Sequence, residues 1–507
     1  MDHTSPSESK SYKDFVRFRQ QANPCIAGLS KFFEGSRYPP SSCRIHAANY
    51  GTEGIQRNSA VFKKVDVTEL SHILNTPSPG QRRLIIIEDL HPWVAEVLGS
   101  RLDIDPVFFA NHVVTKYGGI EMMPAPPSAA LAPSQIIMQA NCFHLHFQRI
   151  VDLGSAKKFR NCGWECVTSG NVPRALRRLP AVSNRQLAIL RACCSVFVKS
   201  FDRSSIGVIF VDPTTSEFIA SSGTSQSQPE RVIAVPLHTG VEDFRRPVSF
   251  SVFQISKSPI KDVNRSTSLL DVLIGYYSDE KLRPEATDGS ILQLVYYPLC
   301  VVIGEWILYN QVMARYLSYY EYSLRSIDTI VNDEKGDLID LQKWRHRAIQ
   351  SRIKIESTKN FVHYWLSQQN DSSNIWDLIL ADLDSLSKQV EQYGQSLERI
   401  IPVVTSMVQL YDAHRSVTES INVRRLTYVA LIFVPLSWVA ALFSMADDYG
   451  PGKPKFWIYF AVSLPFCMLV FACSFLASLP PTNLLKSIGV RLRSKRKQGE
   501  ELYCAEL

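Results

Sequence analysis

The chain has 507 residues, a formal net charge of +7 and 45% hydrophobic residues, enough apolar material for a real core. The charge excess is modest and much of it sits in a basic C-terminal tail, which fits contact with anionic lipid better than binding of nucleic acid. Eleven cysteines, scattered and odd in number, predict a reduced compartment rather than a disulfide framework.

Residues 1–60 show little periodicity, and Met1–Lys13 is polar, so this stretch is expected to be partly disordered and to carry no signal peptide. A short strand and helix are expected around Val61–Leu74, and Leu84–Glu88 (LIIIE) is a buried strand. His91–Leu98 is a short helix closed by Gly99, and Asp105-Pro106 opens another, the Asp as cap and the Pro at the first helical position. Met122–Ser134 is a proline-rich loop. Ile136–Val151 is predicted as strand, with Phe143, Leu145 and Phe147 alternating with His144, His146 and Gln148. His144 and His146 share a face, but with no third ligand in view a polar face is the better reading; Cys162 and Cys166 likewise lack a second pair. Arg185–Val198 is predicted as helix, Ile206–Val211 as a strand ending at Asp212-Pro213, and Thr214–Glu230 as a surface loop. From Leu269 the pattern is helical. This order predicts a cytoplasmic α/β domain over 61–335 with a helical second half.

Ile291–Leu308 is nearly all apolar, but Gln293 and Glu305 and a helical pattern continuing to Tyr322 favour a buried helix over a membrane span. Residues 337–425 are expected to form an antiparallel helical stalk, turning at Asn370–Ser373. Its second helix carries an apolar heptad stripe, Leu386, Val390, Tyr393, Leu397, Ile400, Val404, Met407 and Tyr411, whose register survives Gly394 and Pro402.

Two uncharged runs follow. Residues 426–445 (LTYVALIFVPLSWVAALFSM) are twenty in number; at about 1.5 Å per residue they reach roughly 30 Å, the thickness of a bilayer's hydrocarbon core. Residues 456–479 form a second such run, joined by the loop 446–455 and followed by the basic tail 480–507. Ten loop residues cannot recross a membrane, so the two spans form a hairpin. Arg424 and Arg425 before it, and Lys486, Arg491, Arg493, Lys495, Arg496 and Lys497 after it, predict an integral membrane protein with both termini cytoplasmic; which membrane holds it is left open.

The stalk and first span share a second stripe. Gln409, Asp412, Ser416 and Glu419 continue at the same spacing into Val423, Leu426, Ala430, Val434, Ser437, Ala441 and Ser444. Several copies packed on this face would enclose a narrow pore with acidic rings from Asp412 and Glu419; small residues in a span also serve plain helix packing. No P-loop, Rossmann fingerprint, zincin motif or nucleophile elbow is present, so no enzyme activity and no organic cofactor are expected.

The hairpin with its stalk, the Pro435-Leu436 pair in LIFVPLSWVAALFSM, and the stretch Ile87–His112 together resemble the CorA-type magnesium transporters, most closely their divergent fungal branch. The resemblance spans roughly residues 80–485. It implies an α+β membrane protein with a cytoplasmic α/β domain, a long helical stalk and two C-terminal transmembrane helices. It also implies a homopentamer in a lipid bilayer that passes Mg²⁺, with Mg²⁺ as a regulatory ion held by acidic residues between subunits; Asp333, Glu334 and Asp337 are weak candidates for that role, and a solvated loop is the alternative. The family's Gly-Met-Asn signature falls on Ser444-Met445-Ala446, so Met is kept while Gly and Asn are not. A ring of amide oxygens can accept hydrogen bonds from hydrated Mg²⁺, which sheds its waters reluctantly, whereas alanine cannot. The negative ends of the pore helices, with Asp447 and Asp448 at the mouth, would still attract cations. Two functions follow from this departure: a divalent-cation channel of altered selectivity, or a non-conducting regulatory or interaction protein on a transporter scaffold.

Overall fold

The computed structural model describes residues 10–35, 38–51, 61–75, 77, 79–114, 126–129, 131–139, 141–159, 162–181, 184–202, 204–213, 217–222, 231–233, 235–236, 250, 254, 268–278, 291–323, 334–369, 374–444, 452 and 454–477. The chain divides into two units, Met1–Pro402 and Val403–Leu507.

The first unit begins with α1 (Tyr12–Ala22) and α2 (Ala27–Glu34). Ser11 accepts the Asp14 N–H at 3.2 Å and Asp14 accepts the Ser11 N–H at 3.0 Å, a capping box that fixes where α1 starts. Tyr12, Val16, Leu29 and Phe32 are buried, and the Tyr12 hydroxyl donates to Ile104 O at 2.7 Å. Composition predicts little regular structure over 1–60, yet residues 12–51 contain both helices and the strand β1 (Arg44–Gly51). The apolar spacing of each helix is too short to stand out, and it is docking against the core that holds them.

Next come β2 (Lys63–Val65), α3 (Leu70–Ile73), β3 (Gln81–Glu88), α4 (Pro92–Leu102) and α5 (Pro106–Val113). Asp105 accepts the Val107 N–H at 2.8 Å with Pro106 at the first position, as the local sequence requires. The expected strand over Ile136–Val151 is two elements: α6 (Pro133–Met138), opened by its own proline, and β4 (Cys142–Ser155). After β5 (Cys162–Thr168) and β6 (Ala175–Arg178) comes β7 (Arg185–Phe201).

The strand β7 corrects the helix expected over Arg185–Val198. It pairs antiparallel with β4 from Arg185 to Phe197 along one edge, and with β6 and then β8 (Ser204–Val211) along the other. Both its faces are buried, and a strand apolar on both faces has no period-2 signal to separate it from a helix. The predicted loop 214–230 likewise holds β9 (Glu217–Ser222), followed by β10 (Arg231–Ile233) and β11 (Val235–Pro236). Among the described residues the sheet runs β10-β9-β5-β6-β7-β8-β3-β1-β2, with β4 between β7 and β11. All pairs are antiparallel except β3 with β8, where Leu84 lies opposite Gly207 and Glu88 opposite Val211.

Helices make the rest. α7 (Leu269–Ser278) precedes α8 (Ile291–Ser323), which lies on the sheet: Glu305 pairs with Arg149 of β4 at 2.9 Å, and Leu294 sits where a Cβ on Gly207 would be. Most of its apolar stretch is buried within the unit, which fits a core helix and not a span. α9 (Glu334–Gln369) and α10 (Asn374–Ser444) run antiparallel where they meet in this unit, with ion pairs Lys359–Asp384, Arg352–Glu391 and Arg345–Glu398 in reversed order. Leu386, Val390 and Leu397 of the apolar stripe are buried, and α10 passes Gly394 and Pro402 without a break in its helical assignment.

The second unit holds the rest of α10 and α11 (Trp457–Ala477); between them Gly452 takes φ +95°.

Candidate functional site

In the hairpin the two helices touch along one side of α10. Trp438 stacks on Phe466 with centroids 5.4 Å apart, Phe443 meets Tyr459 edge-on at 6.0 Å, and the Cys467 thiol lies 3.9 Å from Ile432 O. Pro435 and Val439 are buried there, as is Ser463 of α11. At about 100° per residue, Ile432, Pro435, Val439 and Phe443 centre roughly 180° around the helix from Ala430, Val434, Ser437, Ala441 and Ser444. Accordingly Ala430, Val434, Ser437, Ala441 and Ser444 are exposed in the single chain, as are Val423 and Leu426 further back. The Ser437 hydroxyl donates to Phe433 O at 2.7 Å, turning inward on its own helix. Asp412 and Glu419 are exposed on the same stripe, Glu419 holding Arg415 at 3.1 Å.

Of the expected mouth, only Ser444 falls among the described residues, as the last residue of α10; Met445, Ala446, Asp447 and Asp448 lie outside them. Asp333 also lies outside, and Glu334 and Asp337 stand on the first turn of α9 with side chains that are not described. Among the described residues no group of three or more His, Cys, Asp or Glu side chains could hold a metal ion.

A second constellation, in the first unit, brings together residues from six segments. Arg174, just before β6, grips Asp212, just after β8, through Nε at 2.9 Å and Nη2 at 2.6 Å, and donates to His112 O of α5 at 2.7 Å. Asp212 also accepts the Cys193 N–H of β7 at 2.8 Å. Asp89, at the end of β3, accepts the Asn171 N–H at 2.8 Å. Above them the Ser195 hydroxyl stands between His112 Nδ1 at 2.9 Å and His144 Nδ1 at 2.8 Å. One hydroxyl proton serves one ring only, so the other ring carries its proton on Nδ1. His144, half-buried, thus joins a polar network through Ser195, and His146, also half-buried, stacks beside it with centroids 6.1 Å apart; neither lies on an exposed face. Local spacing had no means of finding these residues; the only trace is that β3 and β8 are each followed directly by an aspartate, Asp89 and Asp212.

Burial holds all three histidines neutral, with the Arg174 guanidinium adding to the effect at His112; His144 is lowered to about 3. A histidine whose folded pKa lies below its unfolded value contributes stability above about pH 6.5 and loses it as pH falls through that point. Acid unfolding of the first unit is therefore expected to set in below about pH 6.5, at up to about 1.4 kcal/mol per pH unit for the fully buried His112. Denaturant titrations from neutral to mildly acid pH check this: His112→Gln should flatten the slope, and an unchanged slope would place the acid lability elsewhere.

Among the described residues two helices are long and apolar enough to cross a membrane, Ile291–Tyr322, which is mostly buried in the first unit, and Ile375–Ser444, which is not; Trp457–Ala477 follows as a shorter apolar helix. The model for the family described as CorA-like Mg²⁺ transporter protein matches residues 309–477, about a third of the chain. A search of curated proteins finds no match. Among solved structures, the CorA magnesium transporter of Methanocaldococcus jannaschii is 11% identical, with 84% of this chain and 96% of that one covered at a TM-score of 0.33. The full-length CmaX protein is 13% identical, with 85% and 97% covered and the same TM-score of 0.33.

Proposed function

We propose that the protein is a homo-oligomeric CorA-like channel passing divalent cations, Mg²⁺ first, with α10 lining the pore. The observation that carries this is the uncovered stripe Ala430, Val434, Ser437, Ala441 and Ser444, opposite the side taken by α11 and inside the region matched by the family model. In a single chain this stripe has nothing to pack on; several copies sharing an axis would bury it and leave a narrow, weakly polar passage. A pentamer, both termini in the cytoplasm, and Ser444, Met445 and Ala446 at the outer mouth complete the reading. Asp447 and Asp448 would concentrate cations there, and the rings of Asp412 and Glu419 would do so on the cytoplasmic side. The cation is cargo, and no ligand set is assigned to a regulatory ion.

The second reading is a non-conducting regulatory or interaction protein, favoured by Ala446 where the family carries asparagine. Liposomes loaded with a Mg²⁺ indicator separate the two, with native protein beside Ala446→Asn. Entry through the native protein that a bulky hexa-coordinate cation complex blocks is the expected result. Entry only in Ala446→Asn would mean an intact passage with a disabled filter and favour the regulatory reading. Silence from both, with insertion verified, would end the transport reading.

A further inference from the structure

Where the parallel strands β3 and β8 end, the connection from β5 to β6 closes over Asp89. Asp89 is in the left-handed region at φ 59°, and its N–H donates to Val211 O at 3.1 Å. Its carboxylate caps the connection: Oδ1 accepts the Asn171 N–H at 2.8 Å and the Val172 N–H at 3.5 Å, and Oδ2 accepts the Asn171 side-chain amide at 3.0 Å. The approach is close enough that a Cβ on Gly170 would stand 2.9 Å from Asp89 Oδ1.

Two features of this cap are unusual. Asn171 Nδ2 has three acceptors within reach, Asp89 Oδ2 at 3.0 Å, Asp89 O at 3.2 Å and Ser42 Oγ at 3.0 Å, for only two protons. Asn171 Oδ1, by contrast, is buried with no hydrogen-bond partner among the described residues. Two carboxylates work against the Asp89 anion: Glu88 precedes it on β3 and Asp212 faces it from the end of β8. The Cys43 thiol ahead of β1 is held neutral by burial, and the Arg174 guanidinium attracts Asp89 from its place on Asp212. Of the nearby guanidiniums, Arg44 pairs with Glu88 and Arg174 with Asp212, and among the described residues no ion pair reaches Asp89. Asp89 and Asn171 are 8% and 7% exposed.

We propose that Asp89 and Asn171 form a proton-binding pair: Asp89 takes up a proton on Oδ2, the Asn171 amide turns over, and Oδ1 accepts the new O–H. Protonation removes a buried charge and supplies the donor that Asn171 Oδ1 lacks; in exchange the turned Nδ2 gives up Asp89 O and Ser42 Oγ, whose hydroxyl can instead donate to Asn171 Oδ1, while Asp89 Oδ1 keeps the Asn171 and Val172 N–H groups. The connection over β3 and β8 is then tighter in mild acid and looser once the carboxyl ionises. Burial pushes this carboxyl up against the pull of the Val172 and Asn171 N–H groups, with Asp212 and Glu88 adding to the rise, and it settles at about 6. A raised folded pKa means that the proton's contribution is complete below the unfolded value and lost as pH rises through the folded one. The sign is opposite to that of the buried histidines, so a local readout separates them.

The test takes the full-length protein in detergent on both sides of pH 6. Difference infrared spectra should show a carboxylic-acid carbonyl band appearing on acidification, absent in Asp89→Asn. Amide exchange in the peptide containing Asn171 and Val172, corrected for the intrinsic pH dependence, should slow several-fold in acid in the native protein and stay constant in Asp89→Asn. A band that persists in Asp89→Asn, or native exchange in this peptide that does not slow in acid, would overturn the proposal. Neither measurement depends on whether the protein conducts.

Discussion

Ser437→Trp is expected to abolish divalent-cation entry into liposomes while the protein still inserts and purifies as the native oligomer. Ser437 stands in the middle of the stripe that α11 leaves uncovered, and its small side chain folds back onto Phe433 O at 2.7 Å. If copies of α10 share an axis on this face, each indole would project into the narrowest shared space, and a ring of them leaves no room for a hydrated ion. Leu442→Trp is the matched control: Leu442 is 48% exposed and lies about 120° around the helix from Ala430 at about 100° per residue. Entry should persist in Leu442→Trp and vanish in Ser437→Trp. If the native chain is itself silent, the same pair is read in the Ala446→Asn background. Undiminished entry through Ser437→Trp would mean that this stripe does not line the passage.

Arg174→Leu is expected to destabilise the first unit by about 3–5 kcal/mol, the usual cost of stranding one member of a buried ion pair. The side chains of Arg174 and Asp212 are 1% and 10% exposed, and the guanidinium reaches both carboxylate oxygens. Without it Asp212 keeps, among the described residues, only the Cys193 N–H, and His112 O loses the Arg174 donor. Asp212→Asn in addition removes the stranded charge and should recover part of the loss, though not the donor to His112 O. Denaturant titration of the full-length protein in detergent, followed by tryptophan fluorescence, gives the comparison. A loss for Arg174→Leu below about 1 kcal/mol would show that water reaches Asp212 when the guanidinium is gone.

These two variants sit on features of opposite legibility. The hairpin was readable because its signal is local: two uncharged runs flank a ten-residue loop, and the small stripe follows from helical spacing alone. The core role of α8 was readable from Gln293 and Glu305, polar residues that a span would have to leave in lipid. The Arg174–Asp212 pair was not readable, because its partners are 38 residues apart, and Asp89 and Asn171 are 82 apart. Nothing in either local sequence announces the other.

By itself, then, the sequence determined the two apolar helices that end the described chain, the helical second half, the caps at Asp105 and Pro106, and the strands β3 and β8. Each is set by side chains within a turn or two of one another, where periodicity and capping act directly. Only the tertiary structure decided that Arg185–Phe201 is a strand, that residues 12–51 fold onto the core, and that β3 and β8 lie parallel with their aspartates together. A stretch apolar on both faces suits a buried helix and a central strand equally well. What separates them is the hydrogen-bond partners it finds in β4, β6 and β8, and those lie elsewhere in the chain.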